Sequence, residues 1–240
     1  MPSRKLTMSI VAGAAAIAVA GGSYGIVSAT SSSASTAVSS SPAASSASPA
    51  ASSGSGGGGS NARSGPASGG ASGTVASLSA PKFTMTTSAG QKVTVDEASS
   101  TTYQKGTSPA SASAITTGTP VLVLGTTSGT TITAGQVIVQ PAGGGSATSA
   151  AAKVIPFQRG APATSKQVGQ IPVNYSQGSG TIVSGTAANK ATEAALAAYP
   201  GGIVDRVVKL SNGEYEVHNI GVNWPHHIFV SKSFTVVGAN

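Results

Sequence analysis

Apolar and polar residues alternate in short runs over residues 75–141 of this chain. Lys92-Val93-Thr94-Val95 and Val121-Leu122-Val123-Leu124 are two such runs, and glycine-containing breaks such as Ser128-Gly129 separate them. Alternation with a period of two is typical of strands with one buried and one solvated face, and breaks of this kind are typical of hairpin turns. The pattern therefore predicts a small all-β domain, a barrel or sandwich of about five strands.

A helical pattern appears within residues 189–240. Asn189 is a favourable N-cap for a helix through Lys190–Tyr199, and Pro200-Gly201-Gly202 is a stop signal. The run Ile203–Leu210 and later β-type runs then predict an antiparallel sheet. Residues 189–240 are therefore predicted to form a second small domain, with one helix over a sheet.

The first hairpin of that sheet is predicted to turn at Asn212-Gly213, a pair typical of type I′ turns. A two-residue turn at this point predicts that Val208 faces Val217 and that Lys209 faces Glu216 on the other side of the sheet. Glu216 would then lie on a solvated, salt-linked surface.

Two segments lack a regular pattern. Residues 30–74 consist almost wholly of Ser, Ala, Gly and Pro, a composition that buries too little apolar surface to order itself and is typical of a flexible tether. Residues 142–188 are predicted to be a second linker, because low-complexity runs such as Gly143-Gly144-Gly145 flank their few apolar residues. The predicted fold class is therefore α+β multidomain, with two small domains joined by disordered linkers.

The first 29 residues have the pattern of an export signal. Arg4 and Lys5 precede the apolar run Met8–Ala20, and Val27-Ser28-Ala29 offers a small-residue cleavage site. The alternative is a retained single-pass anchor over Met8–Ala29, which is long enough to span a bilayer. Both interpretations predict an extracytoplasmic location for the rest of the chain, secreted or anchored at the cell membrane.

The composition argues against several functional classes. The formal net charge is +7, but the cations are spread through the predicted linkers and only 4% of residues are aromatic, whereas nucleic-acid binding needs clustered cations beside stacking rings. The chain has no cysteine, which excludes disulfides, thiolate metal sites and a lipid-modified cysteine. We expect no nucleic-acid partner and no cofactor.

The sequence shows no catalytic constellation. Acid–base catalysis needs two carboxylates in one cleft, whereas Asp96 and Glu97 are neighbours that would point to opposite faces of a strand. Neither a G-x-S-x-G elbow nor a phosphate-binding G-x-x-x-x-G-K-[ST] motif occurs in a suitable context. The protein is therefore predicted not to be an enzyme, and we assign no catalytic or cofactor-binding residue.

The candidate partner-binding residues are Trp224, His226 and His227. With His218, the last two are the only histidines, but neighbouring histidines diverge on a strand and two ligands do not close a metal site, so we predict none. Polar surface residues are the simpler interpretation. Trp224 is either an exposed anchor for a partner or, in so small a domain, a lid over the core.

The segments "QKVTVDEASSTTY", "ITTGTPVLVLGT" and "TTITAGQVIVQ" resemble an uncharacterised bacterial envelope family with an OB-like β-barrel. The resemblance covers about 65 residues and rests on the β-pattern and on glycine placement. It implies a fold for residues 75–141 and no activity.

The C-terminal segments "AALAAYPGGIVDRV", "YEVH" and "FTVVG" resemble a PepSY domain of the type found in actinobacterial exported proteins. This family accompanies secreted peptidase propeptides and envelope proteins. The resemblance implies that residues 189–240 bind or restrain a peptidase or another extracellular protein. The expected function is therefore that of an exported, non-enzymatic binding or regulatory protein, the alternative being a structural or wall-associated spacer with no specific ligand.

Overall fold

The computed structural model describes residues 65–141, 154–163 and 166–240. These residues lie within one compact unit, and in them twelve strands form a single sheet while two more pair separately. The predicted signal segment and most of the predicted tether lie outside the described residues. The elements are β1 (Ala67–Ser79), β2 (Lys82–Thr86), β3 (Lys92–Lys105), β4 (Ser108–Ala110), a 3-10 turn (Ala112–Ala114), β5 (Pro120–Ser128), β6 (Thr131–Val139), β7 (Ile155–Pro156), β8 (Val168–Gly169), β9 (Thr181–Ile182), α1 (Gly185–Ala198), β10 (Ile203–Lys209), β11 (Tyr215–Ile220), β12 (Val222–Trp224), β13 (His227–Val230) and β14 (Val236–Ala239).

The pairings of five strands close into a ring in the order β1, β2, β3, β6, β5 and back to β1. The β3–β6 pair is parallel and the other four pairs are antiparallel. Alternation puts every second side chain inside the ring, as in Phe83 and Met85 of β2 or Val93 and Val95 of β3, all at most 1% exposed. The ring therefore encloses an apolar core of its own.

The second half of the sheet runs from β10 through β11, β13 and β14 to β8. Helix α1 covers one face, where its small residues Ala188, Ala191 and Ala195 are fully buried and allow close contact with the strands. The opposite face is covered by the segment 171–182, whose Ile171 and Tyr175 pack with Val208 and Phe229 of the sheet.

Strand β1 joins the two halves. It pairs with β5 from Ala67 to Thr74 and with β2 from Thr74 to Ser79, while Gly70 and Ala71 pair with β10. Its first eight residues fall in the segment predicted to be a tether. Ile203 of β10 is buried in the core of the ring, so apolar contacts as well as hydrogen bonds cross from one half to the other.

The predicted fold class is wrong. The chain does not form a separate OB-like domain and a separate one-helix PepSY-like domain, because one sheet runs through both. The physical reason lies in the glycines of β1. A Cβ atom at Gly69 would overlap the carbonyl oxygen of Val204, and one at Gly70 would overlap that of Val123. Glycines that suggest a linker by composition are here required by close packing of backbones.

The predicted hairpin register is also wrong, by one residue. Val207 faces Val217 and Val208 faces Glu216 in the β10–β11 pair. The turn is wider than expected, since the Gly213 amide donates to the Leu210 carbonyl at 2.9 Å and Gly213 alone in the turn has a positive φ, 84°. A one-residue shift in register moves a side chain from one face of the sheet to the other. As a result Glu216 is buried and not solvated.

The predicted helix is present but begins earlier. Helix α1 starts at Gly185 after the N-cap Ser184, and its C-cap is Tyr199, at the predicted end. The Pro200-Gly201-Gly202 stop signal follows directly.

Substituting Gly69→Ala tests the role of β1. Because the added Cβ meets a backbone oxygen, which cannot move aside as a side chain can, we expect a loss of about 3 kcal/mol in the free energy of unfolding. Gly65→Ala is the matched control, since nothing lies within 4 Å of a Cβ there, and its effect should stay within about 0.5 kcal/mol. Equal stability of the two variants in urea denaturation would contradict the pairing of β1 with β10.

Candidate functional site

A group of polar side chains lies on the sheet face that is turned away from α1. The strand register places His218 opposite both Arg206 and His227, and Glu216 opposite Phe229. A register shift after Val204 interrupts the alternation of β10, and the Asp205 carboxylate contacts the same group. We call Asp205, Glu216, His218, His227 and Tyr175 the histidine–carboxylate cluster.

Each histidine of the cluster is paired with one carboxylate. The Nδ1 atom of His218 lies 2.6 Å from Oδ1 of Asp205, and Nδ1 of His227 lies 2.6 Å from Oε1 of Glu216. The two imidazole rings are 5.2 Å apart between centroids. A carboxylate oxygen accepts a hydrogen bond, so at this distance each ring donates through its Nδ1–H. The Nε2 atom of each ring is then left for other contacts.

Glu216 is the most buried member, at 1% exposure. The Tyr175 hydroxyl donates to its Oε1 at 3.0 Å, while Oε2 has no hydrogen-bond partner among the described residues. Burial raises the pKa of Tyr175 most, and the negative charge of Glu216 raises it further. The positive charge of Arg206 lowers it, but by less. Tyr175 therefore stays protonated and remains a donor to the carboxylate at physiological pH.

A carboxylate behind the Nδ1 of histidine fixes the tautomer and orientation of the ring, as in acid–base catalysts and in metal ligands. The cluster thus holds two imidazoles in fixed orientations. Across the described ranges, however, no three His, Asp or Glu side chains converge in a way that could hold a metal ion.

Trp224 is buried in the core beneath α1. The residue is 1% exposed, and its ring meets that of Tyr199 edge to face at 5.7 Å between centroids. The indole Nε1 donates to the Lys166 carbonyl at 2.7 Å, and the Lys166 ammonium lies 5.5 Å from the ring centroid. Trp224 therefore has the buried position that the core interpretation predicts. A partner that needs an exposed ring would not reach it.

His226 and His227 occupy different environments. His227 belongs to the cluster, where its side chain is 12% exposed. His226 is half-buried beside the Asn219 carbonyl, with its Nδ1 3.4 Å from that oxygen. The three residues proposed from sequence therefore do not form one contact surface, because Trp224 packs beneath the helix and His227 lies on the opposite face of the sheet.

Sequence reasoning missed Asp205, Glu216 and Tyr175 as members of the site. The predicted register placed Glu216 on a solvated surface, and Tyr175 lies in a segment interpreted as a linker. Three histidines within ten residues were the one signal that pointed to this region.

A cleft of about 320 Å³ lies beside the cluster, between the loop 172–180 and the β10–β11 turn. Pro172, Val173, Tyr175 and Leu210 contribute to its lining, so Tyr175 connects the cleft to the cluster. Val173 is fully exposed, whereas Leu210 is buried. We call this cavity the loop cleft.

No family model, curated protein or solved structure matches this chain. Within the part of the chain that the structure describes, no helix is long and apolar enough to span a membrane.

Replacing Trp224 separates its two sequence interpretations. Since the ring fills the core beneath α1, Trp224→Ala should lower the free energy of unfolding by about 3–5 kcal/mol. Trp224→Phe keeps a ring but loses the bond to Lys166, so its cost should be nearer 1 kcal/mol. Thermal and urea unfolding of both variants measure this. An Ala variant as stable as the wild type would show that the indole does not support the core.

His226 should make the stability depend on pH. Burial lowers the pKa of His226, and the nearby His218 and His227 lower it further. The hydrogen bond to the Asn219 carbonyl raises this pKa and so offsets part of the effect. The unfolded chain then binds a proton more readily than the folded one, so stability falls as the pH drops below about 6.5. Denaturant unfolding at pH 7.5 and 5.5 should show a smaller loss for His226→Gln than for the wild type. An identical loss in both would assign the effect to other groups.

Proposed function

We propose that this protein is an exported binding or regulatory protein of the bacterial cell envelope, which contacts another extracellular protein through the loop cleft. The carrying observation is Val173, an apolar side chain that is 100% exposed at the rim of this cleft. A peptidase is the partner class suggested by the PepSY-like sequence pattern of residues 189–240.

The turn that contains Val173 is ordered by a backbone hydrogen bond and by the packing of the residues on either side of it. The Tyr175 amide donates to the Pro172 carbonyl at 2.9 Å, which closes the turn around Val173. Ile171 and Tyr175 pack against Phe229 and Val208 of the sheet, and the Tyr175 hydroxyl is bonded to Glu216. An apolar side chain on an ordered turn loses little conformational entropy on binding, which favours a role as a contact residue.

The polarity of the cleft suits a peptide more than a small hydrocarbon. Next to Val173 and Leu210, the lining includes Asn174, Ser179 and Asn212, and hydrogen-bonding groups beside an apolar pocket are typical of protein contact sites. The proposed ligand is therefore an apolar side chain with its flanking backbone on an exported protein.

The proposed location rests on the N-terminal sequence. Arg4 and Lys5 before the apolar run Met8–Ala20 support export of the chain, and the lack of cysteine leaves the polypeptide itself as the means of any membrane attachment.

The test is site-specific photo-crosslinking on intact cells, with a photoreactive amino acid at position 173 or, as control, at position 78. Leu78 is an apolar residue of β1 that is 48% exposed and does not line the loop cleft. We expect a defined crosslinked protein from position 173 and none from position 78.

The captured protein is then purified and titrated with wild type, Val173→Asp and Leu78→Asp. Burying an aspartate in an apolar contact should weaken binding about tenfold or more, whereas Leu78→Asp should bind as the wild type does. Crosslinks that are absent at position 173, or equal at both positions, would instead favour a structural or wall-associated spacer.

A further inference from the structure

The sheet opens along one edge of β10. At one end of this edge Val204 pairs with Gly70 of β1, and at the other end Val208 pairs with Ile182 of β9. Between these points β1 and β9 diverge, and a cleft of about 480 Å³ remains. We call it the split cleft. It differs from the loop cleft in all of its lining residues.

Arg206 lies in the wall of the split cleft with its charge incompletely paired. The side chain is only 6% exposed, and its Nε atom is buried with no hydrogen-bond partner among the described residues. Its Nη1 approaches the Asp205 carboxylate at 3.3 and 3.5 Å, but Asp205 already holds His218 at 2.6 Å. A guanidinium withdrawn from water normally has short, charge-assisted bonds, which Asp205 does not supply here.

The N-terminus of α1 lies at the same cleft. Ser184 is the N-cap and lines the cleft, yet its side chain makes no capping hydrogen bond. The first turn of this 14-residue helix also contains no acidic residue. The free amides of a first helical turn, together with the helix dipole, attract an anion.

We propose that the split cleft binds an oxyanion, a phosphate or carboxylate group, between Arg206 and the N-terminus of α1. Arg206 supplies the fixed positive charge, and the first-turn amides supply donors from the other side. Ser68 and Thr126 also line the cleft, and their hydroxyls are neutral groups that can donate to an oxyanion.

The cleft is far larger than the roughly 30 Å³ that a water molecule takes up in the liquid, so it has room for an oxyanion that is part of a larger ligand. Ligand binding here does not require the proposed protein contact at Val173, which lies in the other cleft. Loss of either site leaves the other in place.

The test measures the melting temperature of the purified exported chain in inorganic phosphate, in acetate and in chloride, at constant ionic strength. We expect phosphate or acetate, but not chloride, to raise the melting temperature with a saturable concentration dependence. A response to phosphate alone identifies the ligand group as phosphate, and a response to acetate alone identifies it as carboxylate.

Ser184→Asp places a permanent carboxylate at the helix N-terminus. This variant should melt at a higher temperature than the wild type without added anion, and its apparent affinity for phosphate or acetate should fall about tenfold or more. Ser99→Asp is the matched control, with the same charge change at an exposed position of β3, and it should keep the wild-type response. Arg206→Gln, which removes the charge, should also lose the response after its fold is checked by circular dichroism.

Three results would overturn the proposal. The first is a wild-type melting temperature that phosphate and acetate raise no more than chloride does. The second is an undiminished response in Ser184→Asp, since a general stabilising effect of kosmotropic salts would persist in that variant. The third is a full response in folded Arg206→Gln.

Discussion

The close approach of three backbones at the start of β1 is the constraint on which the rest of the structure depends. The carbonyl oxygens of Val204 and Val123 lie so close to β1 that no side chain fits at Gly69 or Gly70. This approach lets one strand complete the ring on one side and extend the sheet through β10 on the other. The two apolar cores consequently share their boundary, with Ile203 placed in the core of the ring.

Most strands could be predicted because their alternation reports directly which face is buried. The runs Lys92-Val93-Thr94-Val95 and Val121-Leu122-Val123-Leu124 lie in strands β3 and β5 of the structure. Strand β1 could not be predicted in this way, because its first residues are Gly, Ser and Ala, and backbone pairing orders them more than side-chain burial does. Composition alone does not distinguish a flexible tether from a strand that is rich in glycine because its neighbours are close.

The candidate site was only partly predictable for a related reason. The histidines could be found by counting, but their carboxylate partners depend on a register that one additional turn residue shifts. That shift moves Glu216 from the expected solvated face to a buried position beside His227 and Tyr175. Local sequence thus indicated the chemical groups, whereas the pairings between them required the three-dimensional arrangement of β10, β11 and β13.

The position of β1 in the chain has a mechanical consequence. A pulling force applied to the described part of the chain at Ala67 acts along the axis of β1. The antiparallel ladder with β5, from Ala67 to Thr74, is then loaded in shear, so its hydrogen bonds share the tension and do not open one at a time. The strand that connects the two halves is therefore also the one that resists being pulled out of the sheet.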